Sequence, residues 1–362
     1  MATHDGDNRP AAGPAGIPTM AAAPRLALAL ALGLLVVLSF LPLSPPEPAG
    51  GDAPAEDFSA ARAMEHVRAL ARDSHPVGSA ENARVRQELV RRLETLGLPV
   101  EVQREVGVRS DLLRAAPVAN VLARIPGREA EPTGTGAVLL VSHYDSTSRG
   151  PGAADDAAGV AAMLETARAL QEGEPPRHDV ILLFTDAEEE GLLGAEAFLA
   201  RHPWADDVEL VLNFEARGTS GPSIMFETGP APAPLMRRFA RAAPHPVASS
   251  YSYDVYRRLP NDTDFSLFKR AGLAGFNFAF IHDSQLYHTA LDTADNLSPA
   301  SLQHHGSYAL ALARHFGEAE DLGALPQGPP AVYFNLPAAG LVVYSASWAL
   351  PLAAVLALVL LA

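Results

Sequence analysis

The chain has 362 residues, with 27 Lys and Arg against 42 Asp and Glu, a formal net charge of −15. That balance excludes a nucleic-acid-binding face, which needs clustered cations for the phosphates. There is no cysteine, which removes disulfide frameworks, thiolate zinc sites and thiol catalysis together.

Leu26 to Leu43 is an uncharged apolar run, LALALALGLLVVLSFLPL. A bilayer span needs roughly 17–25 such residues, whereas the apolar core of a cleaved signal peptide has about 7–15. The run predicts an uncleaved transmembrane anchor over 26–43, with a signal peptide as the competing reading. Arg9 and Arg25 precede it, and Glu47, Asp52, Glu56 and Asp57 follow it. The positive-inside rule then makes 1–25 a cytoplasmic tail. It puts the bulk of the chain on the non-cytoplasmic side, in a periplasm, an extracellular space or an organelle lumen, with membrane lipid as a partner. At the other end no charged residue follows Asp321, and Ala338 to Ala362 is apolar or small throughout. It reads as a second transmembrane segment. The chain stops inside this run, so a longer multi-pass protein is expected, with a simple C-terminal anchor as the alternative.

Between these ends, 44–57 (opening SPPEPAGG) and 321–337 read as linkers around one folded domain, 58–320. Phe58–Arg72 and Glu81–Leu96 carry apolar residues at helical spacing, the second closed by Gly97. Val100–Val108 alternates as a strand, and Val118–Ile125 is another, ended by Pro126-Gly127. Ala137–Ser142 and Asp179–Thr185 are continuous apolar runs, as expected of strands buried on both faces. Helices are predicted over 159–170, 191–201, 234–243, 263–271 and 298–316. Further strands are predicted over 209–214, 223–227 and 275–281. This alternation predicts a three-layer α/β/α fold with a mostly parallel, mixed central sheet.

In open α/β sheets ligands bind beyond the carboxyl ends of the strands. The residues there are His143-Tyr144-Asp145, then Asp155-Asp156 in GAADDAAG, then Glu188-Glu189-Glu190, then Glu215, then Tyr287-His288. Each strand end delivers a histidine or carboxylates to one rim. Taken singly each group has an ordinary structural explanation: Asp155-Asp156 complements a helix dipole, and the glutamate run is a solvated face. Together they suit a pair of divalent cations on nitrogen and carboxylate oxygen. Two metals about 3.5–4 Å apart clamp an attacking water and the substrate oxygen, with a spare carboxylate to handle the proton. Glu190, His178, His202, His245, His304 and His305 read as solvated or structural. Asp262 and Asp264 read as capping the next helix with contacts behind the site, and His282 and Asp283 as candidates to line it.

The segments HYDS, GAADDAAG, AEEEGLLG, NFEA and YHTALDT resemble the co-catalytic di-zinc exopeptidases of metallopeptidase family 28. HPVGS, NVLARIPG and LPNDTDFSLFKRAG resemble its membrane-embedded branch. The resemblance covers about His75 to Phe316 and the flanking apolar runs. It implies a zinc-exopeptidase-like fold and two zinc ions per chain. His143, Asp155 and Glu215 would hold the first ion and Asp155, Glu189 and His288 the second, with Asp155 bridging. Many relatives have aspartate where Glu215 stands, while the membrane branch has glutamate. Glu188 matches the catalytic base. Asp145 would orient His143 from behind, Asp156 would pack the loop after Asp155, where the family has a cis peptide, and Tyr287 would steady the oxyanion. The expected activity is hydrolysis of peptide substrates, as an aminopeptidase, because no inserted basic pocket for a C-terminal carboxylate is visible. Two rivals are a single-zinc, glutaminyl-cyclase-like acyltransferase and a non-enzymatic scaffold of the same fold.

Overall fold

The computed structural model describes residues 22–40, 43–128, 136–229, 232–325, 327–336 and 339–361. Residues 1–21 of the expected tail and residues 41–42 of the expected anchor lie outside the described residues, as do 337, 338 and 362 at the C-terminal run.

The first folded residues are two helices, α2 (Ala60–Leu70) and α3 (Ala80–Thr95), which follow an apolar helix, α1 (Ala22–Phe40). Ser59 and Ser79 accept backbone N–H bonds from Arg62 and Asn82 and so cap α2 and α3, satisfying donors that a helix start leaves free. Next come β1 (Val100–Arg109), β2 (Arg114–Ile125), β3 (Ala137–His143), α4 (Ala157–Gln171), β4 (Asp179–Thr185), α5 (Leu193–Arg201) and β5 (Val208–Ala216). Then follow β6 (Ile224–Thr228), α6 (Ala233–Ala242), α7 (Ser250–Tyr256), α8 (Asp264–Arg270), β7 (Ala274–Phe280) and α9 (Pro299–Gly317).

These strands form one seven-stranded sheet in the order β1-β2-β4-β3-β5-β7-β6. The four central strands, β4, β3, β5 and β7, are parallel, while β1, β2 and β6 pair antiparallel at the two sides. The sheet is therefore mixed with a parallel centre. Alternation along the central strands explains their unbroken apolar runs. Val138 and Leu140 join the core under α2, α3, α4, α6 and α9, whereas Leu139 and Val141 join the core under α5 and α8. The chain passes from β3 through α4 to β4 on one side, then through α5 to β5 on the other. The strand order reverses at β3, which opens a crevice at its carboxyl end.

The C-terminal run departs from expectation. Residues 340–345, inside the expected second span, form strand β9 (Gly340–Ser345), paired antiparallel with β8 (Ala331–Leu336). Beyond it a short 3-10 turn (Ala346–Trp348) leads into helix α10 (Ala349–Leu361). β-branched and aromatic residues in AVYFNL and GLVVYS suit a hairpin, a signal that apolar length alone obscured. Among the described residues no helix is long and apolar enough to cross a membrane. The sequence reading also missed α7, which it left as a loop.

Helix α9 lies tight against the start of the domain. A Cβ at Gly306 would meet the Phe58 ring 1.9 Å away. Gly306→Ala is expected to overpack this contact and lower the unfolding free energy by about 1–3 kcal/mol, read as a lower midpoint in urea at unchanged slope.

Candidate dinuclear metal centre

The parallel strands deliver their carboxyl ends to one place. His143 ends β3, Glu215 lies near the end of β5, and Glu188 and Glu189 follow β4. Asp155 and Asp156 precede α4, and His288 lies in the loop after β7. The structure brings all of the expected ligand residues together. His143 Nε2 lies 3.1 Å from Asp155 Oδ1 and 3.8 Å from Glu215 Oε2. His288 Nε2 lies 2.9 Å from Asp155 Oδ2 and 3.1 Å from Glu189 Oε1. Two groups of three ligand atoms result, His143/Asp155/Glu215 and Asp155/Glu189/His288, each within 4.8 Å, sharing Asp155.

Electrostatics explain what such an arrangement needs. His143 Nδ1 bonds the backbone carbonyl of Asp145 at 2.9 Å. With that nitrogen donating, Nε2 presents a lone pair to two carboxylates, which is repulsive unless a cation intervenes. Burial pushes the Glu188 and Glu215 carboxyls well above the usual range, and neighbouring carboxylates add to it although His143 opposes. Burial also acts on Asp155, but His143 and His288 outweigh it and hold its carboxyl at about 2. Burial disfavours the His288 imidazolium, yet Asp155 and Glu189 raise it to about 9. A field that draws protons onto buried imidazoles draws divalent cations to the same atoms. Glu189 Oε1 is buried and accepts no hydrogen bond, although it lies close to His288. A carboxylate oxygen left in this way fits a metal ligand. The set of imidazole nitrogen and carboxylate oxygen is a zinc donor set.

The surroundings fix the ligands. The Asp145 carboxylate accepts from the backbone N–H of Glu188 at 3.0 Å and of Glu189 at 3.3 Å. It therefore ties the glutamate pair to the loop after β3, and His143 is held chiefly by the Asp145 carbonyl, with the carboxylate 3.5 Å away. Asp156 caps α4 by accepting from Gly159 at 3.0 Å and also accepts from Ser142. The Asp155-Asp156 peptide bond is cis. Tyr287 stacks on His288 with centroids 3.7 Å apart. Ala187 and His288 have φ of 59° and 56°, the left-handed region in which non-glycine residues gather at functional sites.

Some expectations change. Asp264 is buried, accepts from Thr185, and is pushed to about 6 by burial, whereas Asp262 pairs with Arg270 at the surface. Neither His282 nor Asp283 lines the cavity described below, and Asp283 accepts from Ser220. Glu190 pairs with Arg114. Sequence reasoning missed Asp292, the aspartate of YHTALDT. Its carboxylate accepts from the backbone of Ala154 at 2.7 Å and of Asp155 at 3.2 Å, so it pins the shared ligand. Only the motif itself marks it, since no spacing rule singles out an acceptor for two amides.

Candidate ligands Asp155, Glu189, Glu215 and His288 floor a cavity of about 1040 Å³. Its walls include Leu112, Phe226, Tyr251, Val255, Leu259 and Ile281, so α7 supplies one side. The β8–β9 hairpin braces that side. Tyr333 N–H donates to Ser250 at 2.9 Å, and Asn335 bonds Ala248 and Pro246.

The model of Peptidase family M28 matches residues 120–313. Endoplasmic reticulum metallopeptidase 1 of Mus musculus is 32% identical over 324 residues, covering 83% of this chain and 36% of its own length. The chain belongs to peptidase family M28. It spans about a third of that curated relative. Among solved structures, an aminopeptidase from Aneurinibacillus sp. strain AM-1 superposes with a TM-score of 0.59 at 15% identity, over 74% of this chain and 96% of that one. A glutaminyl cyclase from Fimbriiglobus ruber does so with 0.56 at 18% identity, over 75% and 98%. At those identities the likeness is one of fold.

Asp292→Ala is expected to weaken zinc binding roughly 10–100-fold, the usual effect of removing support behind a ligand. Competition with a fluorescent chelator measures it, with circular dichroism checking that the fold persists.

Proposed function

We propose that the chain is a membrane-associated, zinc-dependent exopeptidase that removes N-terminal residues from peptides. The observation that carries this reading is the shared Asp155, whose two oxygens face two imidazoles that each belong to a separate ligand group. In this reading His143, Asp155 and Glu215 hold one zinc, and Asp155, Glu189 and His288 hold the other. Zinc bound there supplies Lewis-acid polarisation of the scissile carbonyl and of a water. Glu188 lines the cavity beside these ligands. Its raised proton affinity suits it to take the water's proton and hand it to the leaving amine. The Glu188 and Glu189 backbone is anchored by Asp145, so the base keeps its place as it changes charge. Tyr287, stacked on His288, presents its phenol to the cavity, where it donates to the carbonyl oxygen as negative charge develops. The acid-rich floor attracts the α-ammonium of a peptide's N-terminus, which favours the aminopeptidase direction.

Membrane association rests on the uncharged runs at both ends and on the mouse relative, an endoplasmic reticulum metallopeptidase. The charge bias around Leu26–Leu43 supports a catalytic domain on the non-cytoplasmic side.

Glu188→Gln is expected to keep its zinc and lose kcat by at least about 100-fold, measured with an aminoacyl-coumarin substrate and elemental analysis of the same sample. The cyclase reading is favoured by the solved fold neighbour and makes a different product. A peptide beginning with glutamine should release free glutamine here, detected by mass spectrometry, rather than form a pyroglutamyl end.

A further inference from the structure

Three arginines line the catalytic cavity, and two are already neutralised. Arg109 holds Asp111 through two bonds of 2.9 and 2.8 Å, and Arg114 pairs with Glu190 at 3.3 Å. Arg217 differs. It is exposed to the cavity, and among the described residues no carboxylate pairs with it. Among the described residues, the two side chains found against it, Tyr287 and Asn261, are uncharged. The guanidinium carbon lies 5.6 Å from the centroid of the Tyr287 ring, and Asn261, with its amide oxygen turned inward, accepts from it.

Its placement is fixed by backbone. Arg217 stands two residues after Glu215, at the end of β5, and its N–H donates to Phe280 O on β7 at 3.0 Å. The Tyr287 ring meets both the guanidinium and His288, lying 3.7 Å from that imidazole. These two ring contacts keep the guanidinium carbon within about 9 Å of the His288 imidazole, under three extended residues at ~3.5 Å each. A planar fork that meets an uncharged amide and no carboxylate suits exchanging that contact for bidentate capture of a carboxylate. The acids of the floor serve as metal ligands and base, and Asp262 on the wall pairs with Arg270 instead.

We propose that Arg217 anchors the free α-carboxylate of the residue following the scissile bond, so that the preferred substrates are dipeptides. The apolar wall of Phe226, Tyr251, Val255 and Leu259 then receives the side chain on the amino side of that bond. This rests on the exopeptidase reading and narrows it. The floor takes the amine, Arg217 takes the carboxylate, and the span between them fits one peptide bond. It also refines the expectation of no inserted basic pocket for a C-terminal carboxylate. That group comes from the end of a sheet strand and needs no inserted domain.

The test uses the full zinc-loaded chain and two substrates, leucyl-alanine as the free acid and as its C-terminal amide. One charge-assisted pair predicts a preference for the acid of roughly 10–100-fold in kcat/KM, carried mainly by KM. In Arg217→Gln this ratio should fall to about one, and Arg217→Lys should restore part of it. The same ratio should appear as a difference in Kd by calorimetry on the non-turning-over Glu188→Gln variant. A wild-type ratio near one overturns the proposal. So does an Arg217→Gln variant that slows both substrates equally, which would make the residue a support for Tyr287. If wild type hydrolyses neither compound, the exopeptidase reading fails, and the calorimetric ratio still decides whether Arg217 selects the carboxylate.

Discussion

Asp155 presents one carboxylate to two histidines, and the arrangement of the domain follows from keeping it there. Its oxygens lie 3.1 and 2.9 Å from nitrogens on opposite sides, and Glu188, Glu189 and Glu215 crowd the same volume. Such a concentration of buried negative charge is unfavourable without compensating cations. Every neighbouring element either holds a ligand or holds the backbone beneath one. Asp292 grips the amides of Ala154 and Asp155, Asp145 grips those of Glu188 and Glu189, and Asp156 closes the start of α4. Three aspartates outside the two ligand groups thus clamp the backbone around Asp155, Glu188 and Glu189.

The sheet makes this possible because four parallel strands end at the same rim and the strand order reverses at β3. Ligands more than 70 residues apart meet without long side chains having to reach. The rim then continues into the cavity wall, where α7 and the β8–β9 hairpin form a braced side outside the sheet itself. A centre set on strand ends is rigid, while selectivity resides in the added wall and in Arg217.

Much of the site was legible before any coordinates. The strands β3 and β4 are uninterrupted apolar runs, and the residues following them are charged, so their ends mark the rim. The motif resemblance then supplied roles that no spacing could. The structure added what depends on three-dimensional contacts. Asp292 has no signature beyond its motif, and Arg217 stood out only once its lack of a carboxylate could be compared with paired Arg109 and Arg114. The hairpin was hidden for a different reason. Apolar length is shared by membrane helices and buried or half-buried strands, and residues 340–345 took the strand alternative because AVYFNL offers them a partner. Helix α7 was hidden because SYSYDVY has polar and aromatic residues in place of an apolar stripe.

The central claim is that Asp155 bridges two zinc ions. Anomalous diffraction from crystals of the zinc-loaded chain, collected on both sides of the zinc edge, tests it most directly. The account predicts two zinc peaks about 3.5–4 Å apart, one against His143 and Glu215, the other against Glu189 and His288, with Asp155 between them. A single peak at full occupancy, or zinc bound away from Asp155, would contradict it.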